Sequence, residues 1–218
     1  MKHNPIKVFL AADSTVQQYE DDPYQGGWGE FLSDYFTKEV EVVNHAIGGR
    51  SSKTFVEEGR LTKIVESMGT GDYLLIQMGH NDATKSRPER YTEPFTTYKE
   101  YLKIYIKNAR LCQAEPVLIT PVARLHYENG VFINDFPEYC QAMKEVATEE
   151  NVRLIDLMER SLHLFEALGY QEVLPYFMAS INTCDYTHFT KKGANEMAKL
   201  VAAAIKEQIQ RISVYIKM

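Results

Sequence analysis

Three side chains in this sequence have the chemistry of nucleophilic acyl transfer: Ser14 in ADST, and Asp185 and His188 in DYTH. A serine hydroxyl is a poor nucleophile until a base takes its proton, and an imidazole base needs an acid to set its tautomer and stabilise the imidazolium. The spacing of Asp185 and His188 lets both side chains point the same way from one turn, though only folding can carry them to Ser14. The tetrahedral oxyanion of such a reaction needs hydrogen-bond donors. Candidates are the Ser14 N–H, the Gly49 N–H and the side-chain amide of Asn81. The same residues also have plainer uses. Ser14 follows the apolar run VFLAA, and Asp13, Ser14 and Thr15 are all good helix N-caps. Gly48 and Gly49 permit a strand-to-helix turn, and Asn81 suits a turn with Asp82 as a cap.

Apolar runs rich in Val, Ile and Leu at 6–12, 40–47, 72–79, 115–122 and 151–157 read as buried strands. Helical spacing over 28–36, 54–68, 95–112 and 137–149 lies between them, and a final amphipathic helix over 190–212 has Thr190 as its N-cap. The stretches 124–136 and 169–189 carry no period. This alternation specifies a three-layer α/β/α sandwich with a mainly parallel five-stranded sheet, and residues 1–218 read as a single domain. In an open parallel sheet, ligands bind outside the carboxyl ends of the strands. Asp13-Ser14, Gly48-Gly49-Arg50, Gly79-His80-Asn81-Asp82 and Pro121-Val122-Ala123-Arg124 all follow expected strand ends, and Asp185 to His188 precede the last helix. The polar residues therefore gather on one edge.

In this order and on these elements, the blocks ADS (12–14), GG (48–49), GHND (79–82) and DYTH (185–188) resemble the SGNH, or GDSL-like, hydrolases. The fuller strings LAADSTV, NHAIGGRSS and QMGHND resemble the rhamnogalacturonan acetylesterase-like subgroup. The resemblance runs from residue 6 to about residue 200. It implies a flavodoxin-like fold and a metal-independent, cofactor-free serine esterase that removes O-acetyl groups from carbohydrate, here acetylated rhamnogalacturonan fragments of pectin. Carried over by position, it makes Ser14 the nucleophile and first oxyanion donor, Gly49 and Asn81 the other donors, His188 the base and Asp185 its orienting acid. Ala12 departs from the pattern, standing where the family has its usual glycine. A requirement for positive φ there would strain the turn.

Other residues bear on substrate. Trp28, Tyr186, Tyr19, Tyr24, Tyr127 and Phe189 lie near the expected edge, and one or two flat faces among them suit sugar rings. Arg50 and Arg124 end strands there and are positioned to pair with uronate carboxylates or to form structural salt bridges. His80 and Asp13 read as bracing residues, and His3, His45, His126 and His163 form no cluster. Cys112, Cys140 and Cys184 have no CxxC spacing, which suits reduced thiols. The formal net charge of −6, with no basic run, argues against nucleic acid or an anionic membrane as partner. The start, MKHNPIKVFLAADS, has neither a signal-peptide core nor a membrane span, which points to the cytoplasm and to oligosaccharide or small-molecule substrates. Oligomeric state stays open. Competing readings are an esterase for acetylxylan or a short acyl ester, a metal-dependent phosphoesterase using Asp13, His80, Asn81, Asp82, Asp185 and His188, and a non-catalytic sugar-binding domain.

Overall fold

The computed structural model describes residues 5–217, so His3 lies outside the described residues. Five strands, β1 (Ile6–Ala12), β2 (Val40–Asn44), β3 (Tyr73–Gln77), β4 (Glu115–Ile119) and β5 (Arg153–Ile155), form one parallel sheet in the order β2-β1-β3-β4-β5. The end of β1 and all of β3 are buried on both faces, which is why their sequences read as continuous apolar runs. The register sets Ala12 beside Gln77, Gln77 beside Ile119 and Ile119 beside Ile155. Their carboxyl ends therefore stop level, and the loops that follow begin from one row.

The helices longer than one turn are α1 (Ser52–Glu57), α2 (Arg60–Val65), α3 (Lys99–Leu111), α4 (Pro137–Glu149), α5 (Leu157–Leu168) and α6 (Lys191–Gln208). Helices α1 to α4 pack on one another, whereas α6 packs on α5 and on a short helix, Trp28–Phe31. Right-handed crossovers explain the division: the chain runs from β1 to β2 in one direction and from β3 through β5 in the other, so its helices land on opposite faces. The crevice between β1 and β3, where the direction switches, is the expected ligand site.

Several boundaries differ from the sequence reading, each for a local reason. β2 stops at Asn44 rather than 47, because the Asn44 side chain accepts from Ala46 N–H and donates to Val16 O, both at 2.9 Å. The expected 54–68 helix is two helices, broken at Gly59 with φ of +72°. A capping box between Ser51 and Thr54 starts the first of them. Residues 94–98 form a π-helical turn before α3, and 32–35 a 3₁₀ turn after the Trp28 helix. Thr190 caps α6 as expected, accepting from Gly193 N–H at 3.2 Å. The helix α5 went unread, although Asp156 caps it and Leu157, Met158, Ser161 and Phe165 form its buried stripe. Within 124–136, Tyr127–Glu128 pairs with Val131–Phe132 across Asn129-Gly130, both with positive φ. Asn-Gly is a strong hairpin signal that the apolar periodicity hid. No described helix is long and apolar enough to cross a membrane.

Gly79, the first residue of the GHND block, has φ of +140°, and a β-carbon there would collide with the Pro121 ring. Gly79→Ala is expected to cost about 2 kcal/mol or more, from backbone strain and overpacking together. A urea unfolding curve checks this, and an unchanged midpoint would contradict the packing described.

Candidate active site

The turn after β1 is built on a buried carboxylate. Asp13 Oδ1 accepts from Thr15 N–H at 2.9 Å and from Thr15 Oγ1 at 2.8 Å, while the N–H groups of Val16 and Gln17 close onto Asp13 O. Thr15 Oγ1 also accepts from Gln77 Nε2 at 2.7 Å, and Gln77 Oε1 accepts from Trp28 Nε1 at 2.8 Å. An indole can only donate, so the donors run one way from Trp28 through Gln77 and Thr15 to Asp13. Asp13 Oδ2 lies 3.2 Å from His80 Nδ1, and His80 Nε2 lies 3.0 Å from Val122 O. Burial pushes the Asp13 carboxyl up, but the His80 charge and hydrogen bond and the Thr15 donors outweigh it and hold the acid below its ordinary value. Ala12 closes β1 opposite Gln77 and is not among the non-glycine residues with positive φ, so its β-carbon strains nothing.

This turn leaves Ser14 facing an open cavity of about 930 Å³. Ser14 Oγ lies 2.9 Å from His188 Nε2, and His188 Nδ1 lies 2.8 Å from Asp185 Oδ2. Asp185 Oδ1 accepts from the N–H groups of Thr187 at 3.0 Å and His188 at 2.9 Å, which fixes the carboxylate by its own loop. Burial raises the Asp185 carboxyl, and the backbone and ring of His188 with Thr187 N–H more than offset this, leaving it below its ordinary value. The carboxylate therefore accepts from Nδ1, leaving Nε2 to take a proton from the hydroxyl.

Gly49 and Asn81, the other residues read as oxyanion donors, line the same cavity. Gly49 has φ of +80°, and Gly48 N–H donates to Gln17 Oε1 at 2.5 Å. A β-carbon on Gly48 would sit 3.4 Å from Ser14 Cβ, so this turn passes close to the serine. Among the described residues no acceptor meets the N–H of Ser14 or of Gly49. Asn81 gives one Nδ2 hydrogen to Arg50 O at 2.9 Å, which leaves the other for a ligand. A hydroxyl hydrogen-bonded to imidazole, beside unfilled N–H donors, is an arrangement for acyl transfer.

The family model for GDSL-like lipases and acylhydrolases matches residues 8–201. The chain belongs to this family. Membership makes it a carboxylic ester hydrolase. Among relatives of this GDSL-like hydrolase, the probable rhamnogalacturonan acetylesterase YesY of Bacillus subtilis is 64% identical over 92% of each chain. The rhamnogalacturonan acetylesterase RhgT of the same species is 42% identical, over 95% of this chain and 92% of that one. The crystal structure of the Bacillus subtilis protein YxiM superposes with a TM-score of 0.84 at 28% identity, over 94% of this chain. This chain spans 57% of the length of that structure. Two of these relatives, YesY and RhgT, carry the name of rhamnogalacturonan acetylesterase.

The residues read as substrate contacts divide. Trp28 is 1% exposed, and its indole is spent on Gln77, so it is core rather than a sugar platform. Arg50 pairs with Glu58 at 3.0 Å and donates to Gly48 O at 2.9 Å, bracing the glycine turn without lining the cavity. Arg124 and Tyr186 do line it, with Tyr186 45% exposed. Burial pulls the Arg124 guanidinium down, partly countered by Asp135, Asp13 and Asp185. Gln17 and Arg90 also line the cavity, and sequence reasoning missed both. Arg90 follows the GHND block closely enough to have been a positional candidate. The histidines and acids named as possible metal ligands instead pair off, Asp13 with His80 and Asp185 with His188, and among the described residues no three such side chains converge. All three cysteines are free. Cys184 lines the cavity, but its sulfur faces Asn182 Oδ1 at 3.7 Å.

Asp82 lies fully buried beneath this floor, accepting from Ser52 N–H and Oγ and from Thr92 Oγ1. Burial pushes its carboxyl up to about 6, against the pull of those donors. The folded state then holds the proton more tightly than the unfolded chain, so its stability falls as pH rises from about 4 to about 6. Asp13 and Asp185, held low, act with the opposite sign and at lower pH. Asp82→Asn is expected to flatten the decline, by an amount on the order of 2 kcal/mol relative to wild type across the interval measured. Urea midpoints at about pH 4.5 and about pH 6.5 measure it, and parallel slopes for the two proteins would refute the assignment.

Proposed function

We propose that this GDSL-like hydrolase is a carbohydrate acetylesterase that acts on acetylated rhamnogalacturonan fragments, using Ser14, His188 and Asp185 as its triad and the N–H groups of Ser14 and Gly49 with Asn81 Nδ2 as its oxyanion hole. The observation that carries the reading is the unbroken hydrogen-bond chain from Ser14 Oγ through both His188 nitrogens to Asp185, at 2.9 Å and 2.8 Å, on the floor of an open cavity. The sugar class rests on two relatives named as rhamnogalacturonan acetylesterases, one at 64% identity.

Ser14 Oγ attacks the acetyl carbonyl as His188 Nε2 takes the hydroxyl proton, and the carbonyl π electrons move onto oxygen. The three N–H donors receive that oxyanion, and Asp185 holds the imidazolium through Nδ1. Collapse of the tetrahedral species breaks the bond to the sugar oxygen, which leaves with the proton from Nε2. Water, deprotonated by the same nitrogen, then attacks the acetyl-serine. Acetate departs and Ser14 regains its proton. No metal or cofactor enters any of these steps. The hydrogen-bonded triad favours this mechanism over passive sugar binding.

Ser14→Ala is expected to abolish hydrolysis of both 4-nitrophenyl acetate and acetylated rhamnogalacturonan oligosaccharide while leaving the fold intact. Asn81→Ala is expected to lower kcat by about 10²–10³, as for loss of one oxyanion donor. Steady-state kinetics with and without EDTA test both. Activity surviving Ser14→Ala, or an Asn81→Ala effect confined to KM, would overturn the mechanism. Turnover of the activated ester without turnover of the sugar would keep the triad and reject the substrate.

A further inference from the structure

Two cationic side chains in the cavity wall have hydrogen-bond donors with nowhere to go. Arg124 makes no hydrogen bond among the described residues, and its guanidinium lies over the Phe136 ring, 4.8 Å from the centroid. Arg90 gives one bond, from Nη2 to Thr84 Oγ1 at 3.3 Å, and its buried Nε has no partner. Among the described residues neither forms a salt bridge within 4.0 Å, whereas Arg50, Arg60, Arg110, Arg153 and Arg160 all do. A partly buried guanidinium without acceptors is costly, and a planar donor fork is matched by a carboxylate.

Their positions tie that unfilled capacity to the reacting group. Arg90 Nη1 lies 3.8 Å from where a β-carbon on Gly49 would sit, beside the proposed oxyanion donor on the β2 side of Ser14. Arg124 follows β4, on the other side of the serine, and feels the charges of Asp135, Asp13 and Asp185. Two of those acids are engaged, Asp13 with Thr15 and His80 and Asp185 with His188, and Asp135 Oδ1 holds His126 Nδ1 at 2.6 Å. A chain with a net charge of −6 has no global field to draw in an anionic sugar, so recognition of one requires cations placed locally.

We propose that Arg90 and Arg124 form a divided anion site that binds the free carboxylates of uronic acid residues flanking the acetylated sugar, so that the enzyme selects acidic over charge-neutral acetyl esters. This deepens the acetylesterase reading and rests on it. Arg90 thereby takes the role for which strand-end position had suggested Arg50. Neither arginine moves a proton. Both bind the sugar's carboxylates rather than the acetyl group that reacts, so they contribute mainly to KM.

The test compares one acetylated rhamnogalacturonan oligosaccharide with its carboxylates free and the same oligosaccharide with them methyl-esterified. Rates are measured for wild type, Arg90→Met, Arg124→Met and the corresponding lysine variants, with thermal melts to establish folding. Wild type is expected to prefer the free acid in kcat/KM by roughly tenfold or more, as for a charge-assisted contact, and the preference should shrink as salt is added. Each methionine variant should lose most of its share of that preference through KM, and each lysine variant should recover part of it. Equal kcat/KM for the two oligosaccharides in wild type would overturn the inference and leave the acetylesterase reading standing. So would an equal fall in kcat on both substrates in Arg90→Met, which would make Arg90 a support for the oxyanion instead. Failure of wild type to deacetylate either oligosaccharide would remove the substrate reading and, with it, this inference. Because the wild-type comparison needs no mutation, a variant that fails to fold does not shield the proposal.

Discussion

The hydrogen bond between Ser14 Oγ and His188 Nε2 joins residues separated by 174 positions, and much of the surrounding architecture serves to hold its two ends. On the serine side, the turn is closed onto Asp13 and level with the end of β3. On the histidine side, the loop before α6 has its own anchors. Gln25–Gly26 pairs antiparallel with Phe189–Thr190, Lys191 N–H donates to Tyr24 O, and Met178 N–H donates to His188 O. Gly193 lets α6 press against the Tyr176 carbonyl, where any β-carbon would collide with backbone. The backbone immediately around His188 is thus tied to the segment that follows Ser14, and the entropy of bringing the two side chains together is met by folding rather than by substrate.

Beneath that bond lies a polar layer inside an otherwise apolar sheet. Asp13, Thr15, Gln77 and His80 are all buried, and each finds partners among the others, Trp28 and Val122. Both ring nitrogens of His80 lie within hydrogen-bond distance of an acceptor, the Asp13 carboxylate on one side and the Val122 carbonyl on the other. Such networks are costly when incomplete and specific when complete, because each member has one orientation that satisfies its neighbour. Trp28 sets the sense of the chain. A residue suited by type to stack on sugar is used instead to orient the Gln77 amide, which in turn bonds to Thr15 in the turn that carries Ser14.

The cavity wall is less complete than its floor. Arg50, behind the wall, is consumed by Glu58 and the Gly48 carbonyl, while the wall residues Arg90 and Arg124 keep unfilled donors. The contrast separates a residue that braces the glycine turn from two whose partners are not supplied by the chain. Position along a strand end could not distinguish these cases, because the distinction depends on which acids the fold brings within reach.

Composition and periodicity by themselves determined the layered class, the five strand cores and the edge on which polar residues gather, because burial on both faces of a parallel sheet leaves a continuous apolar run that needs no context to be read. The residues now proposed as nucleophile, base, acid and oxyanion donors were legible instead in the ordered blocks ADS, GG, GHND and DYTH and in the family those blocks resemble. The Asn129-Gly130 hairpin and the Asp156 cap of α5 are signals of turn and cap chemistry, which apolar periodicity does not register. Tertiary structure alone decided the rest. The break in the expected 54–68 helix at Gly59, the burial of Trp28, the capture of Arg50 by Glu58 and the reach of Arg90 to Gly49 all depend on neighbours distant in sequence or on backbone geometry that side-chain type leaves open. A periodic pattern records which face of an element avoids water. It carries no information about which polar group from another element will meet that face, and the site is made of such meetings.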